Sequence, residues 1–215
     1  VTVLAAVIIV ASSGLLDFAA LMDLSAISRR ELALCLSTTI GVLVFGMLPG
    51  ILLAIALSLL WLLSVASHPT EEVLGEVAEL KGFFSIVSHP NAKTIPGLLL
   101  YRFDSSLVFF NVDAFRDGVR KQVNLAQTPV EWVIVDASPV NVIDATAVSK
   151  IDELREEFQA RGIRINFAGM RHDLLRFFKS AWTLKRYKAE GRFDFPTMTA
   201  AIVAFRECQD NKSAT

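Results

Sequence analysis

WVIVDASPVNVIDAT, residues 132–146, decides the fold. Trp132, Val133, Ile134 and Val135 form a short unbroken apolar run, the pattern of a strand buried on both faces. Asp136 ends it, a loop follows, and Asp144 stands where a helix N-cap belongs, just before an apolar series of helical period. Strand end, loop and helix start therefore fall within fifteen residues. That is the core unit of an α/β sheet, and ligands on such sheets gather at strand carboxyl ends beside helix N-termini.

The flanking sequence repeats the unit. Upstream, Val112, Phe115, Val119 and Val123 share one helical face that ends near Ala126. Downstream, Val148, Ile151, Leu154 and Phe158 line a second helix, with Gly162 where a C-terminal cap belongs. Residues 163–168 read as another strand, Leu174, Leu175, Phe177 and Phe178 as a third helix. A fourth helix has Pro196 in its first turn and Met198, Ile202, Phe205 and Cys208 on its face. Apolar runs at 83–87, 98–103 and 107–110 are separated by His89-Pro90-Asn91, Ile95-Pro96-Gly97 and Asp104-Ser105-Ser106, which is turn chemistry. Strands alternating with helices predict a mostly parallel sheet covered by helices.

Composition divides the chain. It has 215 residues, 53% hydrophobic and 20% charged, with a mean hydropathy of +0.49. Before residue 67 the charges are Asp17, Asp23, Arg29, Arg30 and Glu31; the other charged side chains lie beyond it. One membrane segment and one soluble domain of ordinary size follow. Residues 1–16 are uncharged, about 24 Å as a helix, a little short of the roughly 30 Å bilayer core. Residues 32–67 are also uncharged and would reach about 54 Å as one helix, and Gly46-Met47-Leu48-Pro49-Gly50 interrupts them. The expectation is three spans, 1–16, 32–46 and 49–66. Connector 17–31 reads as a short interfacial helix or a partly ordered loop. Arg29 and Arg30 put it on the cytoplasmic side. Two further crossings return the chain, so the soluble domain faces the cytoplasm too. The apolar start, with no methionine or basic leader region, reads as a fragment of a longer membrane protein.

The soluble part opens with Glu71, Glu72, Glu76 and Glu79, an acidic linker (68–82) or first strand region. The domain itself is expected over 83–210, with a tail at 211–215. Cys35 and Cys208 lie one in each part, and no disulfide framework or metal ligand set emerges. Asp136 and Asp144 could be imagined as a carboxylate pair, but no His or Cys nucleophile accompanies them. His68, His89 and His172 are scattered, so the chain does not read as an enzyme. Between Arg171 and Arg192 seven cations are interleaved with Phe177, Phe178, Trp182 and Tyr187. Lys185, Arg186 and Lys188 stand out as candidates for contact with anionic lipid or an acidic partner.

Three stretches in order carry a family resemblance: HPNAKTIPGLLLYRFDSSLVFFNVDAFRDGV (89–119), WVIVDASPVNVIDATAV (132–148) and LREEFQARGIRINFAGM (154–170). Behind an apolar hairpin, they resemble the last membrane helices and STAS domain of a SulP (SLC26-like) anion transporter. The resemblance implies a membrane α-helical segment, the end of a gate domain, followed by an α/β STAS domain with a small mixed sheet. It implies anion transport of the sulfate type by a homodimer, with the anion bound by upstream helices and the STAS domain regulating or assembling. It implies no cofactor and no nucleic acid. In the anti-sigma-factor-antagonist relatives a serine after the aspartate is phosphorylated. Here Asp144 matches, Ala145 takes the serine's place and Thr146 follows. Asp136, Asp144 and Thr146 therefore mark the candidate switch or ligand loop, facing a nucleotide or protein partner. The alternative is a self-standing membrane-anchored STAS module that recruits such a partner.

Overall fold

Residues that alternate between two apolar surfaces build the centre of this protein. A computed structural model describes residues 2–13, 17–67, 69–77, 82–180 and 194–213. The chain divides into two units, Val1–Ser64 and Val65–Thr215.

The first unit is helical: α1 (Thr2–Ser13), α2 (Phe18–Ile27), α3 (Arg29–Phe45) and the greater part of α4 (Met47–Ser67). The connector is thus a helix, capped by Asp17, whose carboxylate accepts the Ala20 N–H at 3.0 Å. Ser28 caps α3 in the same way through Glu31. α3 starts ahead of the expected span, at Arg29, because Ser28 caps it there and Glu31 in its first turn complements the positive N-terminal dipole end. The expected turn between 46 and 49 shrinks to one residue, Gly46, at φ +88°. Pro49 lies inside the first turn of α4, where its missing N–H costs no helical hydrogen bond. The two helices touch through backbone, since a Cβ on Gly50 would lie 2.5 Å from the Cα of Val42. Among the described residues α4 is the one helix long and apolar enough to cross a membrane.

The second unit is a six-stranded sheet ordered β2-β1-β3-β4-β5-β6. Its strands are β1 (Glu71–Glu76), β2 (Phe83–Ser85), β3 (Leu98–Phe103), β4 (Trp132–Asp136), β5 (Arg164–Ala168) and β6 (Asp194–Phe195). β1 runs antiparallel to both neighbours, and β3 to β6 are parallel. Helices α5 (Val112–Leu125), α6 (Ala145–Ala160) and α7 (His172–Ser180) pack on one face through Leu99, Tyr101, Phe103, Val133, Val135, Ile165 and Phe167. On the other face Leu98, Leu100, Trp132 and Ile134 meet Phe195 and α8 (Met198–Ser213). Burial on both faces explains the unbroken apolar runs of β3 and β4.

Of the two readings offered for 68–82, the first-strand one holds over Glu71–Glu76, where β1 is paired on both edges. The apolar run 107–110 is a turn, in which Leu107 bridges in strand fashion to Ile143. One reading is corrected. Pro196 precedes the last helix instead of entering it. Thr197 is the cap there, its Oγ1 accepting the Ala200 N–H at 3.1 Å. Gly162 follows α6 at φ +75°, the left-handed position that favours glycine over any residue with a Cβ.

Candidate functional site

Parallel strands deliver three loops to one end of the sheet: 104–111 after β3, 137–144 after β4 and 169–171 after β5. Asp136 and Asp144 stand at the two ends of the middle loop, and each is spoken for. Asp136 ends β4 with its side chain only 3% exposed. One of its oxygens accepts Nε and Nη2 of Arg102 at 2.8 and 2.6 Å, and the other accepts the Ser138 N–H at 3.0 Å. The parallel register places Arg102 directly beside it on β3. A buried carboxylate needs such a counter-charge.

Asp144 is the N-cap of α6. Its Oδ1 accepts the Ala147 N–H at 2.8 Å, and its Oδ2 accepts the Phe109 N–H at 2.8 Å from the neighbouring loop. One side chain therefore caps the helix and clips the loop after β3 to it. Ser106 Oγ accepts from Val142 N–H, and Leu107 N–H donates to the Val142 carbonyl at 3.0 Å. Asn111 is 1% exposed; it accepts the Val108 N–H and donates to the Ser106 carbonyl, both at 2.9 Å, and reaches the Ala66 carbonyl at 3.3 Å. Arg171 Nη1 donates to Asn141 at 3.2 Å. Open to solvent on these loops are Asp104 and Phe109 after β3, Ser138, Asn141 and Val142 after β4, Arg171 after β5, and Ala145 and Thr146 at the start of α6.

The loop is thus a rigid platform with an exposed rim. Its two carboxylates are engaged separately and do not converge as a general acid and base. Among the described residues no three His, Cys, Asp or Glu side chains gather to hold a metal. Of the candidate residues, Asp136 and Asp144 stand at the ends of the middle loop and Thr146 in the first turn of α6; sequence reasoning did not single out Arg102, Asn111 or the Phe109 amide. A charged residue at the end of a strand adjoining a buried aspartate was the available signal for Arg102. An asparagine just ahead of the helical face that starts at Val112 was a signal for Asn111; nothing in the sequence points to the Phe109 amide. Of the cationic stretch 171–192, Arg171 and Arg176 are described, and Arg176 pairs with Asp173 at 2.7 Å. Lys185, Arg186 and Lys188 lie outside the described residues.

A second cluster sits under α5. A Cβ on Gly118 would lie 2.3 Å from both Glu71 Oε2 and the Tyr101 hydroxyl. Burial pushes the Glu71 carboxyl above its usual range, and burial beside Glu71 pushes the Tyr101 phenol up as well. Across the outer surface of α5 and α6, Arg120 Nη2 meets Glu157 Oε2 at 2.6 Å and Arg116 meets Glu153 at 3.3 Å. The Arg120 hydrogen bond holds the Glu157 carboxyl below the usual carboxylate range.

Residues 89–185 match the STAS domain family. Over 206 residues, 96% of this chain, the sequence is 35% identical to a protein of Mycobacterium tuberculosis described as a probable sulfate transporter. It is 30% identical over 180 residues to the chloroplastic sulfate transporter 4.1 of Arabidopsis thaliana, covering 80% of this chain. The chain spans 36% and 26% of the length of these two relatives. In fold it resembles the murine solute carrier 26 family member A9 anion transporter in the inward-facing state. The TM-score is 0.75 at 17% identity, over 84% of this chain and 29% of that one. This chain therefore carries a STAS domain and is, over nearly all its length, a homologue of the C-terminal part of SulP/SLC26 sulfate transporters.

Proposed function

We propose that this chain is the C-terminal part of a secondary active inorganic-anion transporter of the sulfate type, whose STAS domain serves assembly and regulation. The observation that carries the reading is the 35% identity running through helices and STAS domain alike. A self-standing anchored module would need to share only the domain. The homologues are membrane transporters, which makes the helical part an integral membrane segment.

In this reading residues 1–16, 32–46 and 49–66 are the spans. Arg29 and Arg30, in the first turn of α3, favour a cytoplasmic connector, and the STAS domain shares that side. Residues 32–66 hold no ionisable group but Cys35, so they brace rather than bind. The anion belongs to other helices, whose N-termini supply positive dipole ends. The protein works as a homodimer. The exposed rim at Ala145 and Thr146 receives a nucleotide or protein partner, with Asp136 and Asp144 holding the platform. Lys185, Arg186 and Lys188 contact anionic headgroups or an acidic partner. The homologues are not enzymes, and no catalytic role is assigned.

The test is radiolabelled sulfate uptake into proteoliposomes containing the complete protein that includes this chain. Uptake driven by an ion gradient and competed by unlabelled sulfate is expected. No anion uptake under any gradient would overturn the reading.

A further inference from the structure

The loop that leads into α5 presents apolar side chains to solvent from a rigid base. Phe109 is 65% exposed, and Val142, across the Leu107–Val142 hydrogen bond, is 55% exposed. Phe110 stands edge-on to Phe109, with ring centroids 5.3 Å apart and planes at 87°. This is not a loose tip. The Phe109 amide is held by Asp144, and the next turn is held by buried Asn111.

Asn111 also fixes where the rings stand. Its Nδ2 lies 3.3 Å from the carbonyl of Ala66, in the last turn of α4. The helix that is long and apolar enough to cross a bilayer therefore ends on the residue next to this aromatic pair. Aromatic rings collect at the level of lipid headgroups, where an apolar body and a polar surround are both satisfied. Neither residues 104–111 nor 137–146 contain a Lys or Arg, and Asp104 is exposed. The one cation shown against these loops, Arg171, is held by Asn141, so attraction to a membrane here would come mainly from apolar contact.

We propose that Phe109, Phe110 and Val142 form a foot that enters the headgroup region of the bilayer beside the exit of α4. The inference rests on the transporter reading for one premise, that α4 spans a membrane. It goes beyond it by assigning the STAS domain a direct lipid contact at the loop after β3. The foot would hold the domain close to the membrane and leave the Thr146 side of the platform for a partner.

The test is depth measurement by electron paramagnetic resonance on the complete protein that includes this chain, reconstituted in vesicles. Every native cysteine, Cys35 and Cys208 among them, is replaced by serine to clear the background, and single nitroxides are placed through Phe109→Cys, Val142→Cys, Leu59→Cys in α4 and Val87→Cys beyond β2. Val87 is 82% exposed and Leu59 60%, so neither label should disturb packing. Oxygen concentrates in lipid and a neutral nickel chelate in water. At 109 and 142 the oxygen-to-nickel accessibility ratio is expected between those at 59 and 87. It should be unchanged when phosphatidylglycerol is added to phosphatidylcholine. A ratio at 109 and 142 equal to that at 87 would overturn the foot alone. Labels shielded from both reagents would mean that protein, such as a second copy, covers the patch, and would overturn it too. A water-like ratio at 59 would remove the membrane premise and with it the transporter reading.

Discussion

Asp144 offers the sharpest test of how the candidate loop is built. Its two oxygens do separate work: Oδ1 caps α6 at Ala147, and Oδ2 holds Phe109 N–H, 35 positions away in sequence. Losing an N-cap costs about 0.5–2 kcal/mol. A hydrogen bond to a charged group adds about 1.5–3 kcal/mol, and partial exposure of Asp144 favours the lower end. Asp144→Ala should therefore destabilise the domain by about 2–3 kcal/mol. Asp144→Ser restores the cap but cannot reach Phe109, and should lose about 1–2 kcal/mol. Asp144→Asn keeps an acceptor for one amide and turns an NH2 toward the other, so it should resemble the serine variant. Urea unfolding of the chain in detergent measures the totals, and amide exchange separates the parts. In Asp144→Ala both the Phe109 and Ala147 amides should lose protection, whereas in Asp144→Ser only Phe109 should. A loss below about 0.5 kcal/mol for the alanine variant, within the range of ordinary surface changes, would refute the clip. So would unchanged protection at Phe109 in every variant.

Gly118→Ala gains about 1 kcal/mol of helix propensity but drives a methyl into Glu71 and Tyr101 at a cost of about 1–3 kcal/mol. Thermal unfolding should show net destabilisation, partly relieved by adding Tyr101→Phe, and a stabilised single variant would contradict the packing. Arg102→Met strands the buried Asp136 carboxylate and should cost about 3 kcal/mol. Adding Asp136→Asn should recover most of it, since the amide oxygen still accepts from Ser138, and no recovery in urea unfolding would exclude the ion pair as the cause. The pH dependence of stability should separate two glutamates. Glu157 is held below the usual range by Arg120, so its contribution is present above the unfolded value of about 4.3 and fades as pH falls through the lower folded value. Glu71 is raised by burial, so its contribution is present below about pH 4.3 and is lost as pH rises through the higher folded value. Glu157→Gln should flatten acid destabilisation, and Glu71→Gln should remove a loss of stability on the rising side. Unchanged pH profiles would refute both assignments.

Much of the fold was legible because its signals are local. The helical faces of α5 and α6, the strand at Trp132 and the caps at Asp144 and Gly162 follow from periodicity and backbone preference within a few residues. β1 was harder to read, since only Val73-Leu74-Gly75 is buried between glutamates, too short a run to stand out from a linker. The turn at 107–110 was hard to read for the opposite reason: it is an apolar run, yet Phe109 faces outward.

At the candidate loop the same division holds. Residue types along 132–146 determined that a strand would end at Asp136 and a helix begin at Asp144, because strand burial and helix capping are satisfied by near neighbours. Only the tertiary structure decided what those carboxylates do. The parallel register of β3 and β4 brings Arg102 to Asp136, and the convergence of two loops brings the Phe109 amide to Asp144. Register and loop convergence depend on how whole faces bury against each other, a property of the assembled sheet that no short stretch of chain contains.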